Sequence, residues 1–487
     1  MRRSRIAWLA PALLAAAQAA SAPPAAAPAA RAAEASRPNV ILIVADDAGI
    51  ETVGAYGGAY RTPRIDQLAR EGVRFENAHA TPLCTPSRVR LLTGRYSFRN
   101  YKAFGHLGRD EPTLAKLLSR AGYRTALAGK WQLSGNPLDG VRGSTPREAG
   151  FDEWSAWATG PDFLDDGCPH WGPTLDTNGV TRAYPGEFGS DLVHRFARDC
   201  VWRQRAGPFF LYYSMILPHD PFVATPARPQ AATREEQFAA MLEYMDALVG
   251  DLLDHLDALG LAEDTLVVFV GDNGTDPRLS SALHGRVVQG GKGSTLAAGT
   301  HVPLVLRWPA RLPASVVAQP MADLTDVFAT IASAAGRHAD ADVSDGYDLL
   351  RGIGDAAAPR RPAIFMDFAL GWWPLQTQRY AFDARWKLYG DGRFFDTQAD
   401  PGEQAPLSPE QLGPVAQDAR AGLQVLLDRM GDRPMTLADP HFPAGFDPQA
   451  IDYDAVRGKL MQRARECGDP SRAATRPTSS AGTAASP

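Results

Sequence analysis

The stretch that decides the fold is residues 38–44, Pro-Asn-Val-Ile-Leu-Ile-Val, which runs directly into Ala45-Asp46-Asp47. A continuous apolar, β-branched run of this length is typical of a strand that is buried on both faces. Residues 208–214, 265–270 and 302–306 repeat the pattern. Because strands of this kind belong to parallel sheets covered by helices, the sequence predicts such a sheet.

Helical patterns alternate with these strands, at residues 64–71, 113–121, 234–259 and 323–335. The third pattern contains an apolar stripe at helical spacing, as expected of a helix that packs against a sheet. The stripe consists of Phe238, Met241, Met245, Leu248, Leu252 and Leu256. Alternating strands and helices predict a doubly wound α/β fold, with a mostly parallel sheet flanked by helices.

The pattern changes after residue 360 of the sequence. Short strand-like pieces are separated by turns, at residues 363–367, 379–382, 386–389 and 393–395, and a helical pattern follows near residues 414–430. Closely spaced short strands predict a small antiparallel sheet. We therefore expect a large α/β domain over residues 38–360 and a C-terminal α+β subdomain over residues 361–440.

The first residues have the pattern of an export signal. Arg2, Arg3 and Arg5 precede an alanine-rich apolar run, residues 6–20, which is short for a membrane span. We predict a signal peptide over residues 1–22, a disordered Pro/Ala linker over residues 23–37, and export to the periplasm or the medium without a stable membrane span. Residues 441–487 form a C-terminal extension, predicted to be disordered from about residue 468.

The charge balance argues against a nucleic-acid partner. The 487 residues contain 50 Lys and Arg and 55 Asp and Glu, which gives a formal net charge of −5. Nucleic-acid-binding domains normally have a basic surface. A small anionic substrate would therefore need a local cluster of basic side chains.

Polar side chains follow three of the predicted strands. Asp46 and Asp47 end the first, His219 follows the second, and Asp272 and Asn273 end the third. Ligands of open α/β sheets bind beyond the carboxyl ends of the strands, so these segments are expected to converge. Carboxylate and amide oxygens suit Ca²⁺ or Mg²⁺, although the same residue types also occur in turns and helix caps. The position of both pairs after buried strands favours a metal site.

Residues 84–94 read Cys-Thr-Pro-Ser-Arg-Val-Arg-Leu-Leu-Thr-Gly. This segment resembles the signature of the type I sulfatase family, within the alkaline phosphatase superfamily: Cys-x-Pro-Ser-Arg, four residues, then Thr-Gly. The resemblance extends in family order over residues 37–405, and includes Asp396 and the Asp400-Pro401-x-Glu403 motif. It implies an enzyme that hydrolyses sulfate esters of small molecules or glycans.

The resemblance also implies how Cys84 works. A formylglycine-generating enzyme would convert the cysteine into formylglycine, whose hydrate supplies one hydroxyl that attacks sulfur and a second that later expels sulfate. The modified Cys84 would join Asp46, Asp47, Asp272 and Asn273 as a metal ligand, because metal binding makes a hydroxyl easier to deprotonate. Arg88, one helical turn on, would hold the modified residue or the metal-bound oxygens.

Three further motifs resemble the family's anion-binding residues. Lys130 lies in Gly-Lys-Trp, Lys292 in Gly-Gly-Lys-Gly-Ser-Thr, and His219 in Pro-His-Asp-Pro. By the resemblance, both lysines hold sulfate oxygens, and His219 contacts the bridging ester oxygen as a general acid. Fixed cations stabilise oxyanions, and an alkoxide leaving group needs a proton, so these residue types suit the reaction.

Two positions depart from the family pattern. Gln132 stands where relatives have a histidine thought to contact the formylglycine hydrate. The glutamine side chain can form hydrogen bonds with the hydrate or with the substrate, but it cannot accept a proton at neutral pH. Ala297-Ala298-Gly299 replaces the usual Glu-Gly-Gly after the second lysine. These departures leave the metal ligands and the Cys84 motif complete.

Two alternative functions remain open at this point. The same site could hydrolyse phosphodiesters or phosphonate monoesters, and an unconverted Cys84 would leave a non-catalytic anion-binding protein. The choice of sulfated substrate and the oligomeric state are also open. The four cysteines do not determine a disulfide pairing, although Cys168 and Cys200 could pair within one region.

Overall fold

A computed structural model describes residues 37–431 except 101–103, 137–141, 161–167, 338–342, 355–358 and 369–377, and it also describes Gly458 and Gln462. The predicted signal peptide, the linker up to residue 36 and nearly all of the C-terminal extension lie outside the described residues. None of the helices in the described part is long and apolar enough to cross a membrane.

The strands are, in chain order, β1 (Asn39–Ala45), β2 (Val73–His79), β3 (Arg124–Lys130), β4 (Glu153–Trp157), β5 (Thr174–Thr177), β6 (Val180–Ala183), β7 (Phe209–Ser214), β8 (Thr265–Gly271), β9 (Ser280–Leu283), β10 (Arg286–Gln289), β11 (Leu304–Arg307), β12 (Val316–Asp323), β13 (Ile364–Phe368), β14 (Gln378–Phe382), β15 (Trp386–Tyr389) and β16 (Phe394–Asp396).

The α-helices are α1 (Pro63–Arg70), α2 (Cys84–Thr93), α3 (Ser97–Asn100), α4 (Leu114–Arg120), α5 (Gly189–Gln204), α6 (Arg234–Ala258), α7 (Ala297–Thr300), α8 (Leu324–Ala334), α9 (Leu349–Gly354) and α10 (Pro414–Met430). Short 3₁₀ helices cover Ile50–Thr52, Gly54–Tyr56 and Pro409–Gln411.

The central sheet has ten strands in the order β12-β2-β11-β8-β1-β7-β3-β4-β5-β6. Its middle five strands, from β8 to β4, are parallel neighbours. β1 alternates between two hydrophobic layers: Ile41 and Ile43 pack on the side of α1, α5 and α6, and Val40 and Leu42 on the side of α2, α4 and α8. The fully buried strand and the doubly wound α/β class are thus confirmed.

The C-terminal region contains the predicted small sheet. β13, β14, β15 and β16 pair antiparallel in sequence order, and α10 packs against them through Leu423 and Leu427. The predicted helix at residues 414–430 coincides with α10. The fold class, including this sheet, agrees with the expectation from sequence.

One expectation was wrong, and one open possibility is excluded. The segment at residues 302–306 becomes β11, which runs antiparallel to both β8 and β2. A strand parallel to β8 would need a crossover connection that takes the chain back to the other end of the sheet. The chain between β8 and β11 instead forms the β9–β10 hairpin and the short helix α7, without a crossover helix in that segment, so β11 starts at the end where β8 stops. Cys200 is a free, buried thiol on α5, whereas Cys168 is disulfide-bonded, so these two do not pair.

Candidate active site

The carboxyl ends of β1 and β8 bring four oxygen-bearing side chains together. Ala45 pairs with Gly271, so the residues that follow each strand are neighbours. The Asp47 amide donates to Asp272 Oδ1 at 3.0 Å, and Asn273 Nδ2 donates to Asp47 Oδ1 at 2.8 Å. With Asp46, these side chains are almost completely buried.

This oxygen cluster fits a divalent cation. Asn273 Oδ1 is buried and has no hydrogen-bond partner within the described structure, which is the state expected of an oxygen that binds an ion. Burial and the negative charge of Asp46 raise the pKa of Asp272, and an added positive charge would relieve both effects. Three carboxylates and an amide oxygen are hard donors, so Ca²⁺ or Mg²⁺ fits better than zinc.

Helix α2 begins at Cys84, directly beside this cluster. Pro86 lies in the first turn, where a backbone N–H is not needed for helix hydrogen bonding. The Ser87 hydroxyl accepts from the Thr81 amide at 3.0 Å and lies 2.6 Å from the Thr81 hydroxyl, which ties the turn before the helix to its first turn. Ligand atoms of Asp46, Cys84 and Asp272 lie within 4.8 Å of one another.

Arg88 lies one turn after Cys84 and therefore on the same face of α2. Its Nε donates to Asp272 Oδ2 at 2.9 Å, and its terminal nitrogen lies 2.9 Å from the same oxygen and 3.5 Å from Asp46. A further nitrogen donates to the Ser214 hydroxyl at the end of β7. Arg88 therefore orients two of the carboxylates.

Lys130 enters the site from the end of β3. Its ammonium group donates to both oxygens of Asp46, at 2.8 and 3.1 Å. Gly129, which precedes it, has φ = 112°, and a Cβ there would lie 1.9 Å from the Ser214 carbonyl oxygen. The Ser214 hydroxyl donates to the Lys130 carbonyl at 2.6 Å. Glycine thus permits the close packing of β3 and β7 that places the lysine.

Lys292 and His219 occupy the more open side of the site. Their side chains are 19% and 23% exposed, whereas those of Lys130 and Asp46 are fully buried. Lys292 Nζ lies 2.6 Å from Asp47 Oδ2 and 3.3 Å from His219 Nε2. A ligand would therefore approach the oxygen cluster past these two side chains.

The electrostatic surroundings of His219 favour the neutral imidazole. Burial, Lys292 and Lys130 lower its pKa from the ordinary value. An anionic ligand beside the ring would act in the opposite direction, because a negative charge favours the imidazolium. The ring of His170 contacts the backbone of His219: His170 Nε2 lies 2.9 Å from the His219 carbonyl oxygen.

Gln132 contacts the residue at the start of α2. Cys84 Sγ lies 3.7 Å from Gln132 Oε1, as a weak S–H···O hydrogen bond. Gln132 has φ = 52°, an uncommon conformation for a residue other than glycine, and its backbone N–H donates to the Ala158 carbonyl at 2.9 Å. The departure from the family pattern therefore lies in direct contact with Cys84.

All ten site residues predicted from sequence come together at this rim of the sheet. Sequence reasoning missed Ser214, which links Arg88 to Lys130, although a serine that ends an apolar strand is itself a signal.

Comparison with known proteins identifies the family. The family model for sulfatases matches residues 38–337. The chain belongs to the sulfatase family. Steryl-sulfatase of Mus musculus is 32% identical over 499 residues, covering 77% of this chain and 79% of that protein. Arylsulfatase A of Bos taurus is 30% identical over 475 residues, covering 85% of this chain and 92% of that protein.

Solved structures agree with the sulfatase fold. The crystal structure of Ps i-CgsB superposes with a TM-score of 0.68 at 23% identity, covering 89% of this chain and 99% of that one. The assignment to the type I sulfatases of the alkaline phosphatase superfamily, which the Cys84 motif predicted, is confirmed. This sulfatase is therefore an enzyme that hydrolyses sulfate esters.

Proposed function

We propose that this sulfatase cleaves sulfate monoesters with a nucleophile made from Cys84 by conversion to formylglycine, next to a divalent cation. The observation that carries the proposal is the convergence of Cys84, three carboxylates and two lysines at one rim of the sheet. A modified Cys84 would supply the attacking hydroxyl as formylglycine hydrate. Release of sulfate would regenerate the aldehyde.

The surroundings of Cys84 are unsuited to an ordinary thiol nucleophile. The thiolate is the reactive form of cysteine. Burial raises the pKa of Cys84, despite the opposing effect of Lys130 and Lys292. Without conversion, the residue would remain a neutral, poorly reactive thiol at neutral pH, which supports chemistry through a modified side chain.

The oxygen cluster would hold Ca²⁺ or Mg²⁺ through Asp46, Asp47, Asp272 and Asn273, together with the modified Cys84. When bound, the cation would lower the pKa of a hydroxyl and offset negative charge on the sulfuryl group. Arg88 would keep Asp46 and Asp272 oriented, since it binds both. These assignments use the only buried side-chain amide oxygen of the described site without a partner, Asn273 Oδ1.

Lys130 and Lys292 would bind the sulfate oxygens. Both ammonium groups now contact carboxylates of the cluster, so they lie within side-chain reach of a ligand held there. Fixed cations near a developing negative charge are a large source of transition-state stabilisation. Lys292, which is partly exposed, would meet the substrate first.

His219 would protonate the leaving alkoxide, and Gln132 would hydrogen-bond the formylglycine hydrate or the substrate. A general acid must carry a proton, whereas burial and the two lysines lower the pKa of His219. The negative charge of a bound sulfate ester would raise that pKa again. Gln132 can orient a hydroxyl but not deprotonate it, so the proton of the second hydroxyl would leave by another group or water.

Mass spectrometry of the protein from its native host tests the nucleophile. A peptide containing formylglycine at position 84 should be about 18 Da lighter than the thiol form, because the conversion replaces CH₂SH by CHO. The hydrate has nearly the mass of the thiol form, so labelling with an aldehyde-directed hydrazide should accompany the measurement. An entirely unlabelled, alkylatable Cys84 would refute this mechanism and favour an anion-binding protein.

Paired substrates separate the alternatives among hydrolases. We expect the sulfate monoester of an aryl alcohol to be hydrolysed with a higher kcat/KM than the phosphonate monoester or phosphodiester of the same alcohol. The leaving group is identical, so the comparison isolates recognition of the central sulfur or phosphorus. A preference for the phosphorus esters would overturn the proposal.

The substrate would be a sulfated small molecule or glycan. The names of the relatives include steryl-sulfatase, arylsulfatase A and N-acetylgalactosamine-6-sulfatase, which cover steroid, aryl and sugar sulfates. A panel of these three classes, compared by kcat/KM, tests the choice.

We further propose export to the periplasm or the medium, with maturation by a formylglycine-generating enzyme. An N-terminus beginning after about residue 20 in the exported protein would support export.

A further inference from the structure

The loop that contains Lys292 is attached to the site on two sides. The Lys292 amide donates to the Thr275 carbonyl at 2.9 Å, two residues after Asn273. The Gly293 amide donates to the Pro82 carbonyl at 2.8 Å, two residues before Cys84. These bonds fix the start of the loop relative to the oxygen cluster and to α2.

A third attachment comes from the C-terminal sheet, through Thr295. Lys387 Nζ donates to the Thr295 carbonyl, and the Tyr389 hydroxyl lies 2.8 Å from the Thr295 hydroxyl. Glu403 binds both: Oε1 accepts from Lys387 at 2.7 Å, and Oε2 accepts from Tyr389 at 2.6 Å. One carboxylate therefore orients two side chains that meet at a single residue of the loop: Lys387 donates to Thr295, and Tyr389, whose proton goes to Glu403, accepts from the Thr295 hydroxyl.

This arrangement is costly for the sheet that contains it. The side chains of Lys387 and Glu403 are only 4% and 6% exposed, and burying an ion pair costs desolvation energy that its own attraction often fails to recover. Burial lowers the pKa of Lys387 to about 8, despite the nearby charge of Glu403. The ammonium group also lies 4.3 Å from the Tyr380 ring, which partly replaces its hydration.

The backbone at Glu403 adds to this cost. Glu403 has φ = 51°, in the left-handed region that disfavours residues with a Cβ. Strain of this kind persists where surrounding contacts demand it, and it is found preferentially at functional sites. The side chain of this residue is the one that binds Lys387 and Tyr389, which lead to the Lys292 loop.

We propose that Lys387, Tyr389 and Glu403 are positioning residues for Lys292, acting through Thr295 from the C-terminal sheet. The inference rests on the proposed binding of sulfate by Lys292. None of the three needs to touch the substrate. Since small displacements of a positioned group reduce catalysis strongly, a third fixed point on the loop would keep the ammonium group where the sulfate oxygens bind.

Tyr389→Phe tests the role most cleanly, because it removes only the hydroxyl that joins Thr295 to Glu403. Tyr380→Phe is the matched control: it lies on the neighbouring strand, and its buried hydroxyl has no hydrogen-bond partner in the described structure. We expect Tyr389→Phe to raise KM for a sulfate ester about fivefold, the factor that one neutral hydrogen bond represents. Inhibition by inorganic sulfate should weaken by the same factor, with little change in kcat.

Tyr380→Phe should keep the wild-type KM and unfolding temperature, whereas Tyr389→Phe, which leaves Glu403 Oε2 without this donor, should unfold at a lower temperature and stay folded under assay conditions. Equal kinetic effects of the two substitutions would show a general disturbance of the sheet and would overturn the proposal. Unchanged sulfate inhibition in Tyr389→Phe would overturn it as well.

A double-mutant cycle with Lys292→Ala separates this proposal from the function on which it rests. If Tyr389 acts through Lys292, Tyr389→Phe should have no further effect on KM or sulfate inhibition in the Lys292→Ala protein. Additive effects would mean that Tyr389 acts elsewhere. If Lys292→Ala alone leaves kinetics unchanged, the sulfate-binding role of Lys292 fails instead.

Discussion

Helix α2 contributes an arginine to each of two buried charge clusters, and the two clusters do different things. Arg88 points to the carboxylates at the ends of β1 and β8, and Arg90 pairs with Asp323 at 2.6 Å near the C-terminal sheet. Residues two apart lie on different faces of a helix, so α2 separates the clusters. Both consist of aspartates with basic partners, so composition alone cannot distinguish them.

The cluster around Arg90 has all its carboxylate oxygens bound by rigid donors. Asp326 accepts from the Asp323 amide at 2.8 Å, from the Tyr347 amide at 2.7 Å, and from the guanidinium group of Arg361. Asp323 and Asp326 also cap helix α8. Backbone amides and planar guanidinium groups fix a geometry, so this cluster serves to hold the C-terminal sheet against α2 and α8.

The cluster around Arg88 differs in two respects. Two of its donors, Lys130 and Lys292, are single charges on flexible stems, and Asn273 Oδ1 accepts from no donor of the described residues. A lysine can leave a carboxylate for another anion at little conformational cost. Incomplete pairing of a buried acceptor, beside movable cations, therefore marks the functional cluster, and complete pairing of the carboxylate oxygens marks the structural one.

Cysteine substitutions should give the largest contrast. Cys84→Ala should reduce kcat at least about 10⁴-fold, because loss of a nucleophile removes the covalent route. Cys200→Ala, which removes the other free buried thiol, should keep wild-type activity per folded molecule and lose about 1–2 kcal/mol of stability through the cavity. Steady-state kinetics and urea unfolding check both. Substantial activity in Cys84→Ala would place the nucleophile elsewhere.

Aspartate substitutions separate the two clusters directly. Asp326→Asn leaves Arg361 buried without its ionic partner, so it should lower the free energy of unfolding by about 3–5 kcal/mol and preserve the stabilisation by added Ca²⁺. Asp47→Asn removes one of three crowded negative charges, and Lys292, which is 19% exposed, keeps access to water, so metal-free stability should fall less than in Asp326→Asn.

The effect of added Ca²⁺ on thermal stability gives a second difference between Asp47→Asn and Asp326→Asn. Asp47→Asn should abolish most of the rise in unfolding temperature that Ca²⁺ produces in the wild-type protein, because ligand binding stabilises only a folded state that can bind. Thermal unfolding with and without chelator measures it. An equal Ca²⁺ effect in Asp47→Asn and wild type would count against Asp47 as a ligand.

The predictable parts are those with a local cause. The residues at 38–47 predicted both a doubly buried strand and ligands at its end, because burial and periodicity act over adjacent residues. The direction of β11 was not predictable, since it depends on which end of the sheet the chain re-enters after Lys292. The bonds from Glu403 to Lys387 and Tyr389 join segments whose sequence spacing carries no signal of contact.

The smallest expected effect concerns Gln132, one of the two departures from the family pattern that the sequence indicates. Gln132→His replaces the amide, whose Oε1 lies 3.7 Å from Cys84 Sγ, by an imidazole, at a φ of 52° that histidine tolerates better than most residues. If the amide only orients the hydrate, turnover should stay the same or rise, by up to about tenfold for an added base near its working pKa. A pH profile of kcat should then acquire a new limb near pH 6.5, the ordinary pKa of histidine. The control Gln132→Glu adds a carboxylate of similar size beside Cys84 and should weaken anion binding through its charge. A loss of more than about tenfold in Gln132→His, with an unchanged pH profile, would mean that the carboxamide itself is required in this branch of the family.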